Sequence, residues 1–194
     1  MLLMTAANKV TSIRFLLCIV YFTLLTLCTR QRDVGMLTVV FILNQIIAWT
    51  DLLDGYLARK YKEVTHFGRI ADPLVDKILV CGSFIFFLTL DPLHKIFTPW
   101  FVTVVLGREF LVSGIRGAME AAGIPFPATF WGKAKTAIQN VGVGTGLGYV
   151  AWFPETRWVE LLTIALMWAT LVATVMSGLT YVLSARKFLG SERV

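Results

Sequence analysis

Four aspartates lie within one segment of the chain, which reads from residue 51 to residue 76 DLLDGYLARKYKEVTHFGRIADPLVD. Asp51 and Asp54 are three residues apart and Asp72 and Asp76 are four apart, so each pair shares one face of a helix. Apolar runs precede the first pair and follow the second. The segment therefore predicts an antiparallel pair of helices, joined by the thirteen residues 59–71, with four carboxylates at similar depth.

The composition around this segment is that of an integral membrane protein. Of the 194 residues, 57% are apolar and 15% are charged, whereas a soluble domain carries about a quarter charged residues. We expect an all-α fold in a single domain over residues 1–194. Its apolar runs predict six transmembrane helices, over residues 12–29, 36–58, 72–90, 97–119, 131–153 and 158–185.

The net charge of +6 indicates membrane topology and contact with anionic membrane lipids rather than nucleic acid. With the N-terminus inside, most Lys and Arg residues fall on cytoplasmic segments, which predicts that both termini are cytoplasmic. The acidic segment then faces the cytoplasm. Because no transit peptide is visible, we expect a bacterial inner membrane.

The four carboxylates predict a metal site. Like charges at close range repel unless a cation lies among them, and an all-oxygen cluster selects hard divalent ions. We expect one or two Mg²⁺ or Mn²⁺ ions. The alternative for one residue is structural, since Asp72 could cap a helix that starts at Pro73. Capping cannot explain Asp51, which lies about two turns inside the end of its helix.

Glycines at every second position from residue 142 to residue 148 give two overlapping Gly-x-x-x-Gly spacings. In membrane helices this spacing allows close helix packing. The partner helix could belong to the same chain or to a second copy, and we expect a homodimer.

The pattern Asp51-x-x-Asp54-Gly55-x-x-Ala58-Arg59, followed after eight residues by Gly68-x-x-x-Asp72-x-x-x-Asp76, resembles the signature of the CDP-alcohol phosphotransferases. The resemblance implies an enzyme that transfers the phosphatidyl group of CDP-diacylglycerol to an alcohol and releases CMP. It implies that all four aspartates bind a metal centre and that Asp76 acts as the general base. It further implies that CDP-diacylglycerol is bound by Asn8, Gly55, Ala58, Arg59 and Gly68.

Three further segments are similar to the phosphatidylglycerophosphate synthase branch of that family. They are Asn8-x-x-Thr11-x-x-Arg14, Gly107-Arg108-Glu109-Phe110 with Ser113-Gly114-x-Arg116, and Gly132-Lys133-x-Lys135-Thr136. This similarity implies sn-glycerol 3-phosphate as the acceptor. Its phosphate would be bound by Thr11, Arg14, Arg108, Arg116, Lys133 and Lys135.

Structural explanations of the basic residues stay open at this point. Arg108 and Glu109 could form a charge pair within the membrane, although neighbours in a helix point about 100° apart and make poor partners. Lys133 and Lys135 could be topology residues at a helix start. Lys77 could extend toward the membrane interface.

Other functions would also use buried carboxylates. Within the family, a cardiolipin synthase or another phosphatidyltransferase would take a different acceptor. Outside it, a small ion-coupled transporter would place carboxylates along a path across the membrane, whereas the aspartates here lie near one face. A third alternative is an intramembrane prenyltransferase, but such enzymes are longer than this chain.

Overall fold

The computed structural model describes residues 6–31, 33–61, 66–124, 126 and 129–191; the side chains of residues 6–10, 51–61, 66–70 and 187–191 lie outside what it describes. This part of the chain is helical and contains no strand, as predicted. Its six α-helices are α1 (Ala6–Arg30), α2 (Val34–Tyr61), α3 (His66–Phe87), α4 (Pro99–Ala121), α5 (Phe130–Trp152) and α6 (Arg157–Ser191). A short 3₁₀ helix, Leu93–Lys95, lies between α3 and α4.

The start of α3 differs from the prediction. The helix begins at His66 rather than at residue 72, so Asp72 lies well inside it and does not cap it. Pro73 is an interior residue of the helix and is exposed. A proline ring on an exposed face removes one backbone hydrogen bond without crowding the core. Most of the thirteen residues expected to join α2 and α3 are therefore helical.

Polar side chains cap the N-termini of two helices. Asp33 Oδ1 accepts hydrogen bonds from the backbone N–H groups of Gly35 (2.7 Å) and Met36 (3.2 Å) at the start of α2. Thr129 Oγ1 accepts one from Gly132 N (3.1 Å) at the start of α5. These three hydrogen bonds satisfy N–H groups that a helix cannot pair internally.

Most of the packing between helices involves α1, α5 or α6. α1 packs against α2 and α3, and α5 packs against α2 and α6. The glycines of α5 face other helices of the same chain. A Cβ atom at Gly146 would lie 2.8 Å from the Phe87 ring, and one at Gly144 would lie 2.8 Å from Gln45 Nε2. Close packing within the chain therefore accounts for these two glycines.

α4 and α5 lie beside each other with little direct packing. Both pack against α6, whereas the backbones of α4 and α5 make almost no close contact with each other. This arrangement leaves space between α4 and α5, bounded on the other sides by α2, α3 and α6.

Two described helices are long and apolar enough to cross a membrane, Thr11–Arg30 and Arg157–Arg186. Large apolar side chains are exposed along both, for example Leu16 and Leu183. α3, α4 and α5 each contain charged residues. The six spans and the cytoplasmic position of both termini stay predictions.

Candidate active site

A cavity of about 1350 Å³ occupies the space between α4 and α5. Five helices contribute to its walls, from α2 through α6. The N-terminal parts of α3 and α5 and the C-terminal part of α4 meet at one end, which we call the polar end. Its charged lining residues are Asp76, Lys77, Arg108, Glu109, Arg116, Glu120, Lys133 and Lys135.

The polar end brings together residues that are far apart in the sequence. Asp76 comes from α3, Arg108 and Arg116 from α4, and Lys133 and Lys135 from α5. The predicted base and four of the six predicted phosphate-binding residues therefore line one cavity.

Glu109 connects two of these cations. Its Oε1 atom lies 2.5 Å from Lys135 Nζ and 3.1 Å from an Arg108 terminal nitrogen. Glu109 and Lys135 are each 5% exposed. The pair joins α4 to α5 across the space where the helices themselves hardly touch. A buried carboxylate thus supplies the anion that buried cations require.

Arg108 is held from three sides. Besides Glu109, it donates a short hydrogen bond to Ser177 Oγ of α6, and its guanidinium carbon lies 5.5 Å from the centre of the Tyr181 ring. The expectation that Arg108 and Glu109 make poor partners was wrong. The arginine side chain is long enough to bend back to its neighbour, and packing against α6 holds it there.

Lys77, for which extension toward the membrane interface was one possibility, lines the cavity. Its ammonium donates to Ser113 Oγ of α4 at 2.5 Å, and Ser113 in turn donates to the Glu109 carbonyl at 2.5 Å. Lys77, Glu109, Ser177 and Tyr181 were all missing from the predicted site. The only sequence signal for Lys77 was its position directly after Asp76.

Thr11 and Arg14 lie in a different place from the other predicted phosphate-binding residues. Thr11 Oγ1 donates to Asp72 Oδ1 at 2.7 Å, and an Arg14 nitrogen lies 3.8 Å from the same oxygen. Arg14 is 2% exposed, while the Asp72 side chain is 44% exposed. We call this contact between α1 and α3 the α1–α3 seam. Neither Thr11 nor Arg14 is among the described residues that line the cavity.

The rest of the predicted site falls on side chains outside the described part of the chain. The backbone of α2 and α3 carries most of these positions, but the side-chain positions of Asn8, Asp51, Asp54, Gly55, Ala58, Arg59 and Gly68 are not described. Among the side chains that are described, no three His, Cys, Asp or Glu residues form a group able to hold a metal ion.

The opposite end of the cavity is apolar. It is lined by aromatic residues near the end of α5 and the start of α6, including Trp152, Phe153 and Trp158, and by Phe41 of α2. The Phe41 and Trp152 rings make an edge contact with centroids 4.8 Å apart. One cavity thus presents charged groups at one end and an apolar surface at the other.

Comparison with known proteins gives a consistent result. The profile of the CDP-alcohol phosphatidyltransferase family matches residues 4–176. A CDP-diacylglycerol--glycerol-3-phosphate 3-phosphatidyltransferase of Bacillus subtilis is 37% identical over 140 residues, which cover 72% of this chain and 69% of that protein. A probable phosphatidylglycerophosphate synthase of Mycobacterium tuberculosis is 34% identical over 158 residues, covering 77% and 70%. The enzyme of Rickettsia felis that shares the first name is 31% identical over 165 residues, 81% of each chain.

Proposed function

Because the chain belongs to the CDP-alcohol phosphatidyltransferase family, we propose that it transfers the phosphatidyl group of CDP-diacylglycerol to sn-glycerol 3-phosphate. The products are phosphatidylglycerophosphate and CMP. The observation that carries this proposal is the polar end of the cavity, where Asp76 lies with Arg108, Arg116, Lys133 and Lys135. A carboxylate beside several fixed cations suits a phosphorylated alcohol whose hydroxyl must be deprotonated.

In the proposed reaction, Asp76 is the general base. It accepts the proton of the acceptor hydroxyl as that oxygen attacks the β-phosphorus of CDP-diacylglycerol. The new phosphorus–oxygen bond replaces the bond to CMP, which leaves with the electron pair. The cations from α4 and α5 bind the acceptor's phosphate and orient its hydroxyl toward Asp76. Catalysis then depends mainly on positioning and on charge.

Enzymes of this family generally use divalent metal ions. The described residues fit such an ion, since Asp72 and Asp76 lie one turn apart on α3 and Asp72 keeps a large exposed fraction despite its contacts with α1. Carboxylate oxygens are the ligands that Mg²⁺ and Mn²⁺ prefer. We propose that Asp51, Asp54, Asp72 and Asp76 hold one or two of these ions. When bound, they neutralise the charge of the diphosphate and of departing CMP.

The remaining assignments concern the lipid substrate and the seam. We propose that Asn8, Gly55, Ala58, Arg59 and Gly68 bind the cytidine diphosphate part of the substrate. We also propose that Thr11 and Arg14 hold Asp72 in place rather than bind the acceptor. Their contacts with the Asp72 carboxylate support this role. The apolar end of the cavity offers a surface to the acyl chains.

The family's enzymes are membrane-associated, and the exposed apolar side chains of α1 and α6 suit that location. We propose a single catalytic domain over residues 1–194 with six transmembrane helices and both termini in the cytoplasm. The active site would face the cytoplasm from a bacterial inner membrane, where a water-soluble acceptor reaches it. A homodimer is the proposed assembly.

An acceptor screen tests the proposal. The purified protein in detergent micelles is given CDP-diacylglycerol, Mg²⁺ and one acceptor at a time, namely sn-glycerol 3-phosphate, phosphatidylglycerol, serine or inositol phosphate. We expect CMP release with sn-glycerol 3-phosphate and none after excess chelator is added. Turnover with phosphatidylglycerol alone would indicate a cardiolipin synthase. No CMP release with any acceptor would favour a transporter.

A further inference from the structure

Glu109 is a buried carboxylate at the polar end that the proposed reaction does not use. It is 5% exposed, and its Oε1 atom contacts both Lys135 and Arg108. An acidic side chain repels an anionic acceptor, so its position among the five cations of the polar end requires an explanation.

The position of the contact is informative. Glu109 belongs to α4 and Lys135 to α5, and these helices border the cavity without packing closely on each other. Arg108 makes its other polar contact with Ser177, which belongs to α6. The Glu109 carboxylate is therefore the described polar group that fixes Lys135 relative to Arg108 across the cavity.

Both cations can still donate toward the cavity. Lys135 has three N–H donors and uses one on Glu109. Arg108 has five N–H donors, and its contacts with Glu109 and Ser177 use one on each terminal nitrogen. Both residues line the cavity, so a phosphate group could bind to them while the contacts with Glu109 persist.

We propose that Glu109 is a positioning residue for the acceptor: it holds Lys135 and Arg108 at the separation that the phosphate of sn-glycerol 3-phosphate requires. The inference rests on the proposed function. Glu109 touches no reacting atom and acts through the two cations.

The sign of the expected effect separates positioning from simple charge. Replacing Glu109 with glutamine makes the cavity more positive by one charge, which by Coulomb attraction alone would tighten the binding of an anion. Positioning predicts the opposite. In Glu109→Gln we expect the KM for sn-glycerol 3-phosphate to rise at least tenfold, with kcat and the KM for CDP-diacylglycerol changed less than threefold.

Two further variants complete the test. Glu109→Asp keeps the charge but shortens the side chain by one methylene. We expect the KM for sn-glycerol 3-phosphate to rise less in this variant than in Glu109→Gln. In the Lys135→Gln background, Glu109→Gln should raise the KM for the acceptor by a smaller factor than it does in the parent, because Glu109 acts partly through that lysine. Glu160→Gln is the matched control, since Glu160 pairs with Arg157 on α6 and neither residue lines the cavity.

The experiment measures CMP release at varied concentrations of each substrate, together with thermal unfolding of each variant. An unchanged or lower KM for the acceptor in Glu109→Gln would overturn the proposal. So would an equal loss toward both substrates with a lower Tm, which indicates a purely structural role. If Glu109→Gln does not fold, an unchanged acceptor KM in Glu109→Asp would overturn it. Parent protein that is inactive with sn-glycerol 3-phosphate would refute the proposed function instead, independently of the variants.

Discussion

In the described part of the chain, two places pair a buried cation with a carboxylate, and they differ in what surrounds the pair. At the α1–α3 seam, Arg14 and Thr11 contact Asp72 where two helices pack directly against each other. At the polar end of the cavity, Glu109 contacts Lys135 between two helices that hardly touch. The first pair lies in a packed joint, while the second borders open space.

Under the proposed assignments, the same chemistry serves two purposes. Inside a packed joint, a cation and a hydroxyl orient one carboxylate and have little room for a ligand. Beside the cavity, the proposed role of the carboxylate is to orient two cations that line the cavity wall. Residue type alone therefore does not distinguish a ligand-binding arginine from one that positions a carboxylate.

The largest expected effect comes from Asp76, the carboxylate of α3 on the cavity side. Asp76→Asn should lower kcat by about 10²-fold to 10⁴-fold, because an amide cannot accept the acceptor's proton. Binding of CDP-diacylglycerol, measured with a labelled lipid, should largely survive. The control is Asp91→Asn in the exposed α3–α4 connection. Equal turnover of variant and parent would remove Asp76 from the role of base.

A smaller and more selective effect is expected at Arg108. Arg108→Ala should raise the KM for sn-glycerol 3-phosphate about 10-fold to 100-fold, since a hydrogen bond to a charged group contributes about 1.5–3 kcal/mol. The KM for CDP-diacylglycerol should stay within threefold. Arg157→Ala, which removes an exposed arginine of α6, is the control. An effect confined to the lipid substrate would place Arg108 outside the acceptor site.

The smallest effect is expected at the α1–α3 seam. Thr11→Val removes the hydroxyl that donates to Asp72 while keeping the side-chain shape, and should lower kcat about twofold to tenfold. The KM for sn-glycerol 3-phosphate should not change. In the control Thr23→Val, the lost hydroxyl bonds the Ile19 carbonyl of its own helix. A selective rise in the acceptor KM of Thr11→Val would mean that the seam binds the acceptor after all.

Several features of the fold could be predicted from particular residues. Apolar runs bounded by charges or by Pro and Gly predicted all six helices, and each starts within six residues of the expected position. The start of α3 was predicted too late because Pro73 suggested a first turn, whereas the ring is exposed and the helix continues through it. Local rules describe where a proline is favoured, and packing decides where it is tolerated.

The sequence by itself determined the family, because the eight motif positions with fixed gaps lie within 26 consecutive residues of α2, α3 and their connection. Helical periodicity places residues of such a short-range pattern on the same helix faces, so the pattern can be recognised without any tertiary information. Only the tertiary structure decided which cations share a cavity. Arg108 and Arg14 look alike in sequence, and the packing of α4 and α5 on α6 separates them, because a long side chain reaches partners that helical spacing does not specify.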